Sequence, residues 1–298
     1  MQSNYNETVI SITLTEKAKA FVELMKLRLS FLVAFSSGFG YILATVGDVN
    51  LMTLALLSLG GMLVSGASIA VNQVIEIEYD AVMQRTKSRP LPTNRLTSHE
   101  AITFAVTVFL LGLTLLYFST NIQTVALSIV SMILYSFVYT PLKRVGPIAV
   151  FVGAVPGALP PLLGWVAATG SISYEALIIF GIQFIWQFPH FWAIAWVADD
   201  DYKKAGFKLL PGGGKKDIQT AINIMIYTLF LIPLGLLPMY FGITGVNSGV
   251  IATICGVLFL AQTFGLMRDH SRKSAMKIMY GSFLYLPIVQ IAFLLDKI

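Results

Sequence analysis

The chain predicts an all-α polytopic membrane protein, with nine transmembrane helices in a bundle around a central cavity. Three observations carry that expectation. Of 298 residues, 56% are hydrophobic and only 12% charged, against about a quarter charged in a soluble domain, and the mean hydropathy is +0.76. The apolar residues gather in runs of about 17–25, the length that spans a hydrocarbon core as a helix. Short, nearly uncharged connections alternate along the chain with long basic ones.

Residues 1–26 read as an amphipathic cytoplasmic segment and residues 27–298 as a single nine-helix transmembrane domain. No cleavable signal is expected, because the stretch through Glu23 is polar or amphipathic and the apolar run after it is long enough to span and remain. Spans are predicted at 27–45, 51–74, 99–118, 122–140, 147–168, 174–198, 218–241, 246–266 and 277–295. The segment before span one and the loops after spans two, four, six and eight hold nineteen of the 20 lysines and arginines. Only Lys297 falls on the other side. Basic loops stay inside, so the amino terminus is expected in the cytoplasm and the carboxyl terminus outside, in a bacterial-type inner cell membrane. The net charge of +5 then reports topology, and no nucleic-acid partner is expected. Cys255, the single cysteine, excludes an intramolecular disulfide and a multi-cysteine metal site. In span five, Gly153 to Pro161 predicts a kink or a close helix contact.

The chemistry concentrates where span two ends. Asn72, Glu76 and Asp80 are spaced by four and so share one helical face, over about 12 Å of helix axis. Carboxylates at a membrane segment are costly unless they bind cations, pair, or line a wet cavity. Amide and carboxylate oxygens suit magnesium, which is held by one or two carboxylates together with substrate phosphates. They do not suit zinc. Arg85, Lys87 and Arg89 follow at once, so the ligand expected beside the metal is an anionic, phosphorylated one. A plainer reading also fits these residues: a solvated helix end whose acids pair with Arg85 or Arg89, in a loop whose bases serve topology. Glu78 lies off the face. A second mixed-charge loop, Ala198 to Lys208, follows span six, so each half of the chain carries acids at the cytoplasmic end of a span followed by bases. Two such ends meeting at one cavity would flank a phosphate group.

The run from Asn72 through Glu76, Asp80, Met83, Arg85, Thr86 and Arg89 to Pro90-Leu91 resembles the first motif of the intramembrane aromatic prenyltransferases. Tyr139 to Arg144, Gly157 to Trp165, and Gln187 to Trp196 leading into Asp200 to Gly206 are similar to the haem-farnesylating branch of that superfamily. The resemblance runs from about Glu23 to the end of the chain. It implies that Asn72, Glu76 and Asp80 hold Mg2+ and that Arg85, Arg89, Lys143, Arg144 and Lys204 contact diphosphate. Asp200, Asp201 and Lys204 would form a second motif, and His190 would contact haem. The implied substrates are farnesyl diphosphate and protohaem IX. Farnesyl transfer to a haem vinyl group, with addition of water, would give haem O and diphosphate. The implied surroundings are the lipid bilayer and a haem A synthase partner.

The pattern departs from the superfamily in three places. Glu76 stands where many members have Asp, Ala198 and Tyr202 replace the acids of Asp-x-x-x-Asp before Gly206, and Lys26-Leu27-Arg28 replaces Lys-Pro-Arg. Helical counting puts His190 on the face of Ile194, Val197 and Asp201. Imidazole suits a haem iron, and a hydrogen-bonded packing role suits the same residue. Two other functions share these features: prenylation of a hydroxybenzoate or naphthoate ring in quinone synthesis, with a smaller acceptor pocket, and secondary transport, which also uses broken helices and intramembrane charge.

Overall fold

The computed structural model describes residues 13–298, so residues 1–12 of the expected amino-terminal segment lie outside the described residues. In chain order the helices are α1 (Leu14–Met25), α2 (Leu27–Ala44), α3 (Leu51–Ile75), α4 (Ile77–Val82), α5 (Ser98–Ser119) and α6 (Ile122–Ile133). A π-turn, Leu134–Tyr139, leads into α7 (Thr140–Leu142). After it come α8 (Ile148–Thr169), α9 (Tyr174–Val197), α10 (Asp199–Lys204), α11 (Pro211–Gly214), α12 (Ile218–Tyr240), α13 (Val246–Asp269) and α14 (Arg272–Leu295). Among the described residues, nine segments are long and apolar enough to cross a membrane: α2, α3, α5, the run α6 to α7, α8, α9, α12, α13 and α14. The protein is a multi-pass, all-α membrane protein.

Helix starts follow capping chemistry. Thr13 with Glu16, and Thr97 with Glu100, close capping boxes on α1 and α5, while Asn50, Asn121, Ser173, Asp217 and Ser271 each accept a bond from a first-turn amide. Ser271 also explains why the last span begins at Arg272 rather than near 277: once capped, the helix carries Arg272, Lys273 and Lys277 through its first two turns. Where a proline was missing before span one, Lys26 adopts left-handed backbone angles (φ 45°, ψ 61°) that end α1 and start α2. Gln73 donates to the Leu24 carbonyl at 2.7 Å, supplying a side-chain partner to the end of α1.

The most buried span is α8, which packs against α2 and α9. Small residues permit this. A Cβ at Gly40 would collide with the Pro161 carbonyl, and one at Gly164 with the Ser37 carbonyl, so α2 and α8 approach backbone to backbone. Of the two outcomes expected for the Gly153 to Pro161 stretch, close packing is found, and α8 runs as one helix with Pro156, Pro160 and Pro161 inside it. Pro161 has no N–H for the Gly157 carbonyl four residues earlier. Gln183 and Gln187 of α9 supply donors in its place, at 2.8 and 2.9 Å. Gln183 is bound in turn by Gln290 of α14 at 2.9 Å and by Ser36 of α2 at 3.2 Å. The carbonyl that Pro161 leaves without a ladder donor is therefore satisfied by a polar network joining four spans, as a low-dielectric interior demands.

Candidate active site

The acidic face expected on one helix spans a break. Glu76 leaves helical geometry (φ −106°, ψ 15°) between α3 and α4. The bonds from Glu76 N to Asn72 O (3.0 Å) and from Asp80 N to Glu76 O (2.8 Å) persist, so the spacing of four survives the break. Asn72, Glu76 and Asp80 are all buried. Their partners arrive from two directions. Thr86 Oγ1 donates to the Asp80 carbonyl at 2.9 Å, folding the chain back so that Arg89 reaches Asp80 Oδ2 at 2.5 Å. From the end of the fourth span, Lys143 Nζ lies 2.9 Å from Glu76 Oε1 and 3.0 Å from Oε2, with the directional bond on Oε2.

Aromatic rings frame these cations. Lys143 Nζ stands 4.7 Å from the centre of the Tyr139 ring and Arg144 lies 4.8 Å over Tyr79, whose hydroxyl accepts its bond at 2.9 Å. Of the two arginines that the plainer reading offered the acids, Arg89 is the one that pairs, with Asp80, while Arg85 covers Tyr202 at 5.7 Å. Tyr79 meets Phe207 at 5.5 Å, which brings the loop after α10 against the first acidic segment.

Asp201 completes that junction. Its carboxylate accepts the backbone N–H groups of Gln84 (3.2 Å) and Arg85 (3.1 Å) and pairs with Lys204 at 3.3 Å. Desolvation raises the Asp201 pKa, but the two backbone bonds and Lys204 outweigh it and hold the group below its ordinary range. Asp200 points outward, with its side chain 89% exposed and 3.7 Å from Lys216. Asp199, which the sequence reading passed over, is the buried acid, paired with Lys203 at 2.8 Å and Lys216 at 3.2 Å. The two mixed-charge ends do meet, yet among the described residues no three His, Cys, Asp or Glu side chains gather in one metal-binding cluster.

The donor set at the first end nevertheless suits a hard cation. Asp80 Oδ1 is buried without a hydrogen-bond partner, and Glu76 Oε1 has no directional one. Such atoms are costly to leave unsatisfied, and with the Asn72 amide they form an all-oxygen set of the kind magnesium accepts.

A family model described as the UbiA prenyltransferase family matches residues 32–286. The chain belongs to this family. The Protoheme IX farnesyltransferase of Cytophaga hutchinsonii is 51% identical over 280 residues, covering 94% of this chain and 98% of that protein. Solved structures share the fold. A digeranylgeranylglyceryl phosphate synthase superposes with a TM-score of 0.78 at 21% identity, over 94% of this chain and 98% of that one. A UbiA homolog from Archaeoglobus fulgidus bound to GPP and Mg2+ gives 0.63 at 16%, over 92% and 99%.

Within this UbiA-family fold, His190 stands apart from the acids. Helix α9 ends at Val197 and Ala198 breaks the geometry, so the face counted from His190 does not carry on to Asp201. His190 Nδ1 lies 2.8 Å from Ser282 Oγ of α14, and its ring stacks on Trp186 at 4.4 Å. It sits about 10 Å along the α9 axis before that helix ends at Val197. Lys26 is the cation that sequence reasoning left out. Partly buried at the α1–α2 turn, it is pushed down to about 7 by burial and then by the Arg89 charge, against the opposing pull of Asp80. The Lys-x-Arg pattern beside span one was the available signal, but the turn that aims Lys26 inward is tertiary.

Proposed function

We propose that this protein transfers the farnesyl group of farnesyl diphosphate to a vinyl group of protohaem IX, with addition of water, giving haem O and diphosphate. The observation that carries the diphosphate chemistry is the buried pairing of Glu76 with Lys143 and Asp80 with Arg89, next to an unpartnered Asp80 oxygen. Identity of 51% with a Protoheme IX farnesyltransferase supports haem as the acceptor.

In this reading Asn72, Glu76 and Asp80 hold Mg2+, which when bound supplies positive charge to the leaving diphosphate. With substrate bound, Glu76 and Asp80 would be left to hold the cation, and Arg89 and Lys143 would be free to contact phosphate oxygens. Arg85, Arg144 and Lys204 add positive charge at the rim, with Asp200 on the outer side. Asp201 holds the Gln84–Arg85 backbone in place from the second motif. Once the leaving group is stabilised, the allylic carbon–oxygen bond breaks. The vinyl π electrons attack the farnesyl cation, and water adds to the cation left on the haem side and loses a proton. The Tyr139, Tyr79 and Phe207 rings offer π faces to positive charge, worth about 0.5–2 kcal/mol each. His190, held by Ser282, is assigned to haem contact. The basic loops support a cytoplasmic amino terminus in a bacterial-type inner membrane, and in this reading a haem A synthase would consume the product.

The test is to incubate purified protein with magnesium, protohaem IX and farnesyl diphosphate and weigh the haem product. A haem heavier by farnesyl plus water, absent with Asp80→Asn, is expected. Unmodified haem together with a prenylated hydroxybenzoate would overturn the acceptor and leave the diphosphate site standing.

A further inference from the structure

Three polar rungs join α3 to the fourth span. Ser136 Oγ donates to the Ser68 carbonyl at 3.3 Å, Asn72 Nδ2 donates to Thr140 Oγ1 at 2.9 Å, and Lys143 Nζ donates to Glu76 Oε2 at 3.0 Å. The middle rung has a defined polarity. Thr140 Oγ1 also lies 2.9 Å from the Tyr135 carbonyl, which can only accept, and a hydroxyl has a single proton to give. That proton goes to Tyr135, so the Thr140 oxygen is left to accept, and only the nitrogen end of the Asn72 amide can satisfy it. The reversed amide would claim the hydroxyl proton and leave two bare oxygens facing each other across 2.9 Å.

The π-turn creates this arrangement. It pairs the Tyr135 carbonyl with the backbone N–H of Thr140, five residues on, and so draws the threonine side chain over that carbonyl. Thr140 is 1% exposed and Asn72 3%, so water does not compete for either group. We propose that Thr140 is a positioning residue: its hydroxyl, locked by the π-turn, fixes the Asn72 amide with nitrogen turned to Thr140 and leaves Oδ1 as the atom presented to the cation. The inference rests on the magnesium reading above. Without the hydroxyl the amide is free to turn and offer its NH2 to the metal, which repels it.

The test is to titrate Mn2+ into the purified full chain with inorganic pyrophosphate and follow the free ion by electron paramagnetic resonance. Thr140→Val keeps the shape and removes the acceptor, and it is expected to weaken Mn2+ binding about tenfold, the scale on which lost outer-shell partners act. Thr140→Ser, which keeps the hydroxyl, is expected to bind as the unaltered chain does. Unchanged binding by Thr140→Val, with binding lost in Asp80→Asn, would overturn the role of Thr140 and leave the metal site intact. Unchanged binding by Asp80→Asn would overturn the metal reading and this inference with it. If Thr140→Val does not purify as a folded, monodisperse protein, Thr140→Ala decides by the same titration.

Discussion

Glu76 and Lys143 meet with side chains 5% and 11% exposed, so neither charge has bulk water to turn to when its partner is removed. Leaving one member of a buried pair alone costs about 3–5 kcal/mol, whereas replacing both by neutral groups is often tolerated. Lys143→Met is therefore expected to lower the unfolding temperature in detergent sharply, and Glu76→Gln added to it to restore most of the loss while product formation stays absent. A double variant no more stable than Lys143→Met would show that the pair is not coupled. The acids were legible in the sequence because an interval of four residues implies one face. Their partners were legible only in part. Arg89 is nine residues from Asp80, near enough for a loop to return it, but Lys143 is 67 residues from Glu76, and no local rule connects them.

Between α8 and α9, a missing hydrogen bond in one helix is supplied by side chains of another. Gln187→Met should cost about 0.5–1.5 kcal/mol, the usual net worth of one hydrogen bond, because Gly157 O loses one of its two donors. In a Pro161→Ala background the ladder N–H returns to Gly157, and the same Gln187→Met change should cost less. Equal costs in both backgrounds, measured by denaturant unfolding in detergent, would show that the glutamine does not compensate the proline. The proline pair was readable as a signal for a kink or a close contact, yet its sequence did not say which. That choice depends on Gly40 and Gly164 lying where α2 and α8 cross, a coincidence of two distant segments. The π-turn is similar: Tyr139 to Arg144 was visible as a motif, but the change of helical pitch before it left no mark in hydrophobic spacing.

Across the whole molecule, the basic loops carry the expectation of orientation, and the bundle brings the two acidic ends together. Asp48 is exposed between α2 and α3, and Lys203 is exposed on α10. With Cys255, the lone free cysteine, replaced by Ser, a membrane-impermeant maleimide applied to intact cells is expected to label Asp48→Cys and to spare Lys203→Cys. The opposite pattern would invert the topology. The assembly also decides what the second loop does. Asp201 reaches the backbone of Gln84 and Arg85, so the α9–α10 junction docks on the first motif, while Asp200 turns to solvent and Asp199 is buried. Three consecutive aspartates could not be ranked from the sequence, since their fates depend on which way α10 leaves the break at Ala198.

The number of spans, their order and the expected side for the basic loops were already determined by the sequence, because burying a helix in lipid requires an unbroken apolar run and placing charge on one side leaves a count that can be read directly. The acidic face from Asn72 to Asp80 belonged to the same class of information, being set by an interval within one segment. Only the tertiary structure decided that the face is bent at Glu76, that Lys26 turns inward, that Arg85 covers Tyr202 and that Thr140 holds Asn72. Each of these depends on contacts between segments of different helices, and such contacts follow from how the described spans fill space together rather than from any local pattern.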